Sequence, residues 1–222
     1  MKETDTISVL VCVHSPDHEH DMLLQRALES LVVQTYDDFE VVVVMDECWD
    51  GTRAIVDAYK YVLDLKIYER TRKQGLASAK NFGIQRCSGD WICYLDADDR
   101  WLECKLEIQR NFMLKNPNID FCFTEAWDFI DGQGLRPNCF AVGQYKTHAD
   151  ISNIINLENV LCHGSAMISY AALKSLNCYD TSLSLLGQED WDLWKRAIGA
   201  GYRFAKLPER LYIYSLGTSV PR

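Results

Sequence analysis

Short apolar runs alternate with segments of helical periodicity in this sequence, and this alternation constrains the fold more than any other feature. Ile7–Val13 is a near-continuous apolar run, which is typical of a strand buried on both faces. Met22–Val33 then places its apolar residues at helical spacing. The same alternation predicts strands at Val41–Met45, Leu65–Glu69 and Trp91–Leu95. It also predicts a helix that runs through Lys60 with Asp50 as its N-cap, and helices at Gly75–Arg86 and Trp101–Lys115. Strands and helices in this order form βαβ units, so we predict an α/β fold with a doubly wound, mixed but mostly parallel sheet flanked by helices.

The rhythm changes after the strand predicted at Ile119–Thr124. Residues 125–160 are polar, contain several glycines and favour hairpins and loops. Beyond them the pattern predicts a strand at Ala166–Ser169 and helices at Ala171–Leu176 and Glu189–Ala200. Because no linker rich in proline, glycine or serine separates the two parts, we expect residues 1–222 to form a single domain. Its N-terminal half spans 1–117 and its C-terminal half 118–222.

The charge balance argues against a nucleic-acid partner. The chain has 32 acidic and 23 basic residues, which gives a net charge of −9. A surface of this sign repels a polyanion unless a local basic patch overrides the average. If the ligand is nevertheless a phosphate, something other than the bulk charge of the protein must neutralise it, and a metal ion is the usual answer.

The cysteines and the polar N-terminus bear on the cellular compartment. None of the nine cysteines forms a Cys-x-x-Cys pair, so a zinc ribbon or thioredoxin-type site is not expected. An odd number without framework spacing is typical of a reducing compartment. The sequence contains no run of about 18–20 apolar residues and its first residues are polar, so it predicts neither a transmembrane segment nor a signal peptide. We therefore expect a cytoplasmic protein, and peripheral contact with the inner face of the membrane stays open.

Three carboxylates follow the apolar strand Trp91–Leu95. Asp96, Asp98 and Asp99 lie where ligands bind in open α/β sheets, outside the carboxyl end of a strand. Crowded like charges are costly unless a cation or a proton separates them, and a divalent ion takes carboxylate, phosphate and water oxygens. The alternative is an acidic turn in which Asp98 or Asp99 caps the helix beginning near Trp101. Both interpretations can hold at once.

Several segments in a fixed order carry a resemblance to a known family. They are Ile7–Val13, Arg26–Tyr36, Phe39–Asp46 followed by Asp50–Thr52, Gly75–Ile84, Ser88–Asp90 leading to Asp96–Asp98, and Gly187–Arg196. This series resembles family 2 glycosyltransferases of the GT-A fold, closely over residues 7–112 and loosely over 160–215. The resemblance implies an inverting, metal-dependent transferase that takes a sugar from a nucleotide-diphosphate donor, with a UDP-sugar as the expected donor. The half over 1–117 would bind the nucleotide and the half over 118–222 the acceptor.

The resemblance also implies roles for individual residues on the donor side. The nucleotide-binding residues would be Cys12, Val13, Asp46, Lys80, Asp96 and Ala97. Asp46 would accept a hydrogen bond from the uracil ring, and Asp96 would face the ribose or the water shell of the metal. Asp98, with Asp96, would ligate Mn²⁺ or Mg²⁺, which stabilises the charge on the departing diphosphate. The alternatives are a turn aspartate at position 46 and a solvated helix lysine at position 80.

On the acceptor side, the resemblance gives the catalytic role to Glu189 and Asp190. Asp190 would be the base that removes the proton of the attacking sugar hydroxyl, while Glu189 would orient it or bind the acceptor. The alternative is a pair of helix-start acids that complement the helix dipole. The acceptor would be a carbohydrate, a lipid-linked glycan or a protein, as in the synthesis of surface polysaccharides or glycoconjugates.

Departures from the family pattern leave two other functions open. Cys12–Ser15 stands where the family shows Pro-Thr-Tyr-Asn, Met45 replaces the first of two aspartates, and Glu47-Cys48 replaces Gly-Ser. These changes leave room for a catalytically weakened nucleotide-sugar-binding module. A nucleotidyltransferase ranks third, because it needs a basic, glycine-rich loop after the first strand and here that loop is acidic without glycine.

Aromatic residues and histidines near the predicted site carry weaker expectations. We expect His163 to be a structural histidine that precedes a strand. Trp101, Trp127 and Trp191 either stack on sugar rings or pack half-buried against the core.

Overall fold

The apolar runs of the first half become neighbouring parallel strands. β1 (Ile7–Val13) lies between β2 (Phe39–Asp46) and β4 (Trp91–Tyr94), and β3 (Asp64–Arg70) lies outside β2. The four valines of β2 are 0% exposed, because helices cover both faces of the sheet. The doubly wound, mostly parallel arrangement predicted from the alternation is therefore confirmed.

The computed structural model describes residues 6–15, 17–70, 75–138, 145–182 and 187–216. Besides β1 to β4, its strands are β5 (Arg100–Trp101), β6 (Phe121–Ile130), β7 (Gly134–Pro137), β8 (Met167–Ser169) and β9 (Phe204–Leu216). Its helices are α1 (His18–Val32), α2 (Asp50–Asp57), α3 (Leu76–Ile84), α4 (Lys105–Lys115), α5 (His148–Ile154), α6 (Tyr170–Ser175) and α7 (Glu189–Gly199), with a 3₁₀ turn at His163–Ser165. These strands form one nine-stranded sheet in the order β3-β2-β1-β4-β8-β6-β9-β5, in which β7 pairs with β6.

The second half extends this sheet with mixed pairing. β8 is antiparallel to both β4 and β6, whereas the long strand β9 is parallel to β6. The register of β6 and β9 shifts at Thr124, Glu125 and Ala126. The sheet is thus mixed, as predicted. The sequence pattern did not distinguish β5, β7, β9 and the second half of β6 from loops.

Two hydrophobic clusters cover the two faces of the sheet. One contains side chains of α3, α5, α6 and α7, including Leu193 and Trp194. The other contains side chains of α1, α2 and α4, including Leu24 and Leu28. α7 and α1 therefore approach the carboxyl edge of the parallel strands from opposite faces.

Three local predictions are wrong. Asp99 does not cap a helix at Trp101, because Arg100 and Trp101 form β5 and the helix begins only at Lys105. α2 begins at Asp50, so that Trp49 is its N-cap. Residues 125–160 hold more regular structure than hairpins and loops, since β6 runs on to Ile130 and α5 carries a capping box.

The described part of the chain contains eight cysteines, all of them free thiols. Among the same residues, no helix combines the length and apolar character that crossing a bilayer requires.

Candidate active site

The ends of β1, β2 and β4 bring the predicted nucleotide residues to one edge of the sheet. Val13 at the end of β1 is the register partner of Met45, and Asp46 follows directly on β2. Leu95 continues β4 by donating its backbone N–H to Leu10 at 3.1 Å, and Asp96 comes next. Parallel strands meet with their carboxyl ends at the same edge, so Cys12, Val13, Asp46 and Asp96 border one surface.

Neighbouring residues Cys12 and Val13 point to opposite faces of the sheet. Val13 is 1% exposed inside the α1-face cluster, so only its backbone borders the edge. Cys12 packs on the α3 and α7 face, and burial raises the pKa of its thiol to about 12. Cys12 therefore stays a neutral thiol beside Lys80, Asp96 and Asp46, which are the groups whose charges act on it.

Asp46 lies beside an arginine that the sequence analysis did not single out. Arg70 Nε is 3.5 Å from Asp46 Oδ1, and both side chains are 7% exposed. Arg70 ends β3 in register with Asp46 and also donates to Ser78 Oγ at 3.1 Å. The strand predicted from the sequence ends at Glu69, one residue before Arg70. A basic residue at the carboxyl end of a parallel strand is the sequence feature that could have identified Arg70. Asp46 is thus a buried, paired carboxylate rather than a solvated turn aspartate.

Asp96, Ala97 and Asp98 form a partly exposed turn after β4. The backbone N–H of Asp99 closes this turn on the carbonyl of Asp96 at 3.1 Å. Ala97 packs against the α1-face cluster, which leaves the two flanking carboxylates at the edge.

Asp99 belongs to the support of this turn and not to a cluster of three metal ligands. Its carboxyl group accepts hydrogen bonds from the hydroxyl of Tyr212 and from the backbone N–H of Ser215, the latter at 2.7 Å. Burial, followed by the nearby charges of Asp98 and Asp96, raises the pKa of Asp99 well above its usual range. Two carboxylates remain for a cation.

The two carboxylates of Asp96 and Asp98 suit a metal ion that is held partly by the protein and partly by a bound phosphate. Within the described ranges, no group of three or more His, Cys, Asp or Glu side chains is arranged to hold a metal. Mg²⁺ and Mn²⁺ commonly take one or two carboxylates and fill their remaining positions with phosphate and water oxygens. Two partly exposed carboxylates at an open edge fit an ion of that kind.

Lys80 of α3 is an internal cation and not a solvated lysine. The residue is 3% exposed, and its Nζ donates to Glu189 Oε1 at 2.8 Å. Its Nζ also lies 5.3 Å from the centre of the Tyr179 ring. Burial opposes the charge of the ammonium group, but the carboxylates of Glu189, Asp96 and Asp190 outweigh it and raise the pKa of Lys80. Lys80 thus joins the acids of α7 to the acids after β4.

Glu189 and Asp190 open α7, as predicted, but their environments differ. Burial would raise the pKa of Glu189, yet the ion pair with Lys80 outweighs it and lowers that pKa. Asp190 accepts from Asn159 Nδ2 at 3.3 Å and from the backbone N–H of Trp191 at 2.7 Å. Burial raises the pKa of Asp190, against the opposing charge of Lys80. One acid is therefore locked in an ion pair, while its neighbour holds a proton more readily than a free aspartate.

His163 and Trp101 are structural residues. His163 is buried, with its Nε2 2.8 Å from the hydroxyl of Tyr179, and burial lowers the pKa of His163 well below its usual range. Trp101 is 3% exposed and donates from Nε1 to the carbonyl of Gly164 at 3.1 Å. The expectation for His163 is confirmed, and Trp101 is not available for sugar stacking.

The chain shows similarity to glycosyltransferases in both sequence and structure. It is 29% identical over 212 residues to an uncharacterized glycosyltransferase of Methanocaldococcus jannaschii, covering 95% of this chain and 70% of that protein. It is 33% identical over 185 residues to the Escherichia coli UDP-Glc:alpha-D-GlcNAc-diphosphoundecaprenol beta-1,3-glucosyltransferase WfgD, covering 83% of this chain and 68% of the relative.

Solved structures share the fold at lower sequence identity. Residues 1–349 of S. aureus TarS, in complex with UDP-GlcNAc, superimpose with a TM-score of 0.77 at 21% identity, covering 97% of this chain and 60% of that fragment. The Pyrobaculum calidifontis mannosyltransferase PcManGT, in complex with GDP-Man and Mn²⁺, gives a TM-score of 0.72 at 19% identity, covering 98% and 59%. The chain thus spans about 60% of the length of these solved chains and has their GT-A fold.

The sequence also matches a family model. The model described as glycosyl transferase family 2 covers residues 8–176, which include the ends of β1, β2 and β4 and Lys80 of α3. Glu189 and Asp190 lie beyond the matched range. The chain belongs to glycosyltransferase family 2.

Proposed function

We propose that this chain is an inverting, metal-assisted glycosyltransferase that uses a UDP-sugar. The observation that carries the proposal is the convergence of Asp46, Asp96, Asp98 and Asp190 toward one sheet edge, with the buried Lys80–Glu189 pair between α3 and α7. The halves over 1–117 and 118–222 would serve the donor and the acceptor respectively. The complex of TarS with UDP-GlcNAc and the UDP-Glc in the name of WfgD support the choice of donor.

On the donor side, the base of the nucleotide would meet Asp46 at the end of β2. A carboxylate oxygen accepts the N–H of a uracil ring, and a hydrogen bond to a charged group contributes about 1.5–3 kcal/mol. Arg70, 3.5 Å from Asp46, holds this carboxylate in place. Cys12 and the backbone at Val13 would line the floor beside it.

Asp96 and Asp98 would hold Mn²⁺ or Mg²⁺ together with the two phosphates of the donor. When bound, the ion supplies Lewis-acid stabilisation of the charge on the leaving diphosphate. The chain's own part is to present two carboxylates on a rigid turn. Asp99 provides that rigidity through its bonds to Tyr212 and Ser215 on β9.

Asp190 would act as the general base. Its carboxylate accepts the proton of the acceptor hydroxyl while the hydroxyl oxygen forms a bond to the anomeric carbon. The bond from that carbon to the phosphate oxygen breaks on the opposite side, and its electron pair leaves with the nucleoside diphosphate. Attack opposite the leaving group inverts the anomeric centre. Burial raises the pKa of Asp190, which strengthens it as a proton acceptor.

For the acceptor we propose a hydroxyl of a carbohydrate, carried free, on a lipid or on a protein. The lipid-linked acceptor in the name of the E. coli relative supports a role in surface polysaccharide or glycoconjugate synthesis. Such an acceptor would place the chain in the cytoplasm, in peripheral contact with the inner face of the membrane.

A thermal-shift screen of nucleotide sugars with and without Mn²⁺ tests the donor assignment, because a ligand that binds only the folded state raises the melting temperature. We expect UDP and UDP-sugars to stabilise the chain more than GDP and GDP-sugars. Hydrolysis or transfer of the stabilising donor, followed by NMR of the new anomeric centre, tests the reaction. Stabilisation by guanine nucleotides alone would overturn the donor assignment, and retention of configuration would overturn the mechanism.

The second candidate is a binding module that holds the nucleotide sugar without turning it over. The observation in its favour is the altered end of β1, where Cys12 is a buried neutral thiol and Val13 is packed in the core. Donor binding without transfer or hydrolysis of any nucleotide sugar would decide for it.

A further inference from the structure

A cleft of about 200 Å³ opens beside Asp98 on the α1 face of the sheet. Its charged lining consists of Arg26 of α1, Arg100 of β5, Asp98, Glu19 and Asp131, and Phe129 contributes an aromatic wall. None of these residues except Asp98 has a place in the site described above.

The two arginines are close enough to affect one another. Arg26 and Arg100 line the same cleft, which brings their positive charges together. The Arg100 guanidinium stacks 4.7 Å from the centre of the Phe129 ring, which holds its planar group in one orientation. Two guanidinium groups brought together repel one another, and a bound anion relieves that repulsion.

No carboxylate in the described part of the chain forms an ion pair with either arginine, although Asp98 also borders the cleft. Neither Arg26 nor Arg100 forms a salt bridge with a described residue, although Glu19 and Asp131 border the same cleft. Both acids are exposed, so water screens them. The guanidinium donors are thus left for a ligand.

The position of the cleft on the α1 face of the sheet indicates which anion it would bind. α1 and α7 cover opposite faces of the sheet, so the cleft lies across the sheet edge from Asp190. In a displacement with inversion, the attacking hydroxyl and the leaving group flank the anomeric carbon from opposite sides. A site beside Asp98 and away from the base therefore adjoins the leaving group.

We propose that Arg26 and Arg100 bind the terminal phosphate of the nucleoside diphosphate, the group that leaves with the nucleotide. This inference rests on the proposed function. Guanidinium forks match the spacing of phosphate oxygens and keep their charge at every physiological pH. Their contacts strengthen as negative charge develops on the phosphate during bond breaking. The two arginines thus give this acidic chain a positive charge where the phosphate would bind.

Calorimetry with UDP and UMP in the presence of Mn²⁺ tests the proposal on the whole chain. Arg26→Gln and Arg100→Gln each remove one charge while keeping length and polarity, and the double variant removes both. We expect each substitution to weaken UDP about tenfold, and to change UMP, which lacks the terminal phosphate, less than about twofold. Arg26→Lys and Arg100→Lys keep the charge without the fork and should recover only part of the loss.

Arg203→Gln is the matched control, because Arg203 is exposed and its side chain forms no ion pair with a described residue. It should bind both nucleotides as the parent does. Unchanged UDP affinity in the double variant, or equal losses for UDP and UMP, would overturn the arginine assignment. Failure of the parent chain to bind UDP would instead overturn the proposed function. Melting curves of each variant show that a loss of affinity is not a loss of fold.

Discussion

At the scale of single residues, Asp190 shows why two adjacent acids at one helix start need not share a role. The carboxylate of Glu189 pairs with a cation at 2.8 Å, whereas the donors to Asp190 among the described residues are a side-chain amide and a backbone N–H. A carboxyl group whose pKa is higher in the folded than in the unfolded state binds more protons when folded. The free energy of unfolding therefore falls as the pH rises from 3.8, the ordinary pKa of an aspartate, through the raised pKa of Asp190.

Asp190→Asn should separate catalysis from stability. If Asp190 is the base, kcat falls by about 10²–10⁴ while donor binding survives. At pH 7 the substitution removes a buried charge but also a helix-start acid, so the free energy of unfolding changes by less than about 1 kcal/mol. Steady-state kinetics and urea unfolding measure the two quantities.

Asp192→Asn is the matched control in the same helical turn. Asp192 pairs with Arg196 at 2.7 Å and contacts no other residue of the site in the described ranges. Its replacement should lower stability by a few tenths of a kcal/mol and leave kcat at the parental value. Parental turnover in Asp190→Asn would refute the base assignment.

A single glycine supports the turn after β4. A Cβ atom added to Gly164 would lie 2.4 Å from the ring of Tyr212, whose hydroxyl donates to Asp99. Gly164→Ala should therefore displace the ring, destabilise the fold by about 1–3 kcal/mol and weaken UDP binding. Thermal melts and calorimetry check both effects.

Gly199→Ala is the matched control for that substitution. An added Cβ at Gly199 meets no atom within 4 Å, and the residue ends α7. We expect it to leave UDP binding unchanged and stability unchanged or higher by up to about 1 kcal/mol. If Gly164→Ala behaves in the same way, the Tyr212 ring does not hold the turn.

At the scale of elements, the Lys80–Glu189 pair joins α3 to α7 across the active-site edge. Lys80→Met leaves Glu189 buried without its cation, which costs about 3–5 kcal/mol. The double variant Lys80→Met, Glu189→Leu should be more stable than Lys80→Met alone, because no unpaired charge remains. Urea unfolding of the parent, Lys80→Met, Glu189→Leu and the double variant gives the coupling energy. Strict additivity of the two single changes would show that the two side chains do not interact.

The same pair predicts a change in pH dependence. Lys80 lowers the pKa of Asp190, and burial raises it. Replacing Lys80 with Met should therefore move the acid limb of the kcat profile to higher pH, since the base then holds its proton longer. A pH–rate profile with an unmoved acid limb would contradict the electrostatic link between the helices.

The sequence predicted those strands and helices that a local hydrophobic pattern is sufficient to identify. Strands β1, β2 and β4 are apolar on both faces, and Asp46 and Asp96 lie at one edge of the sheet because they follow the carboxyl ends of β2 and β4. β9 was not predicted, because Pro208, Glu209 and Arg210 interrupt its apolar pattern where its register with β6 shifts. The predicted role of Asp99 as a helix cap was wrong for a related reason. Its hydrogen-bond partner Tyr212 lies 113 residues away in the chain, where a local pattern cannot detect it.

At the scale of the whole molecule, the net charge of −9 opposes binding of any diphosphate. Asp96 and Asp98 add to this cost at the site itself, and a cation that enters with the donor would offset it. We predict tighter UDP binding in Mn²⁺ than in EDTA, and Asp98→Asn should remove most of that difference. Calorimetry measures both affinities, and equal values in EDTA and Mn²⁺ would refute the metal site.

The tether from Asp99 to β9 has a consequence for the newborn chain. A ribosome that has made β1 to β4 has already made Asp46, Asp96 and Asp98, yet the strand that steadies the turn after β4 is still unsynthesised. Contacts between such distant segments form last, because a long loop must close first. A nascent chain should therefore neither bind nor hydrolyse the nucleotide sugar. The donor site would become functional only when the half proposed to bind the acceptor has been synthesised.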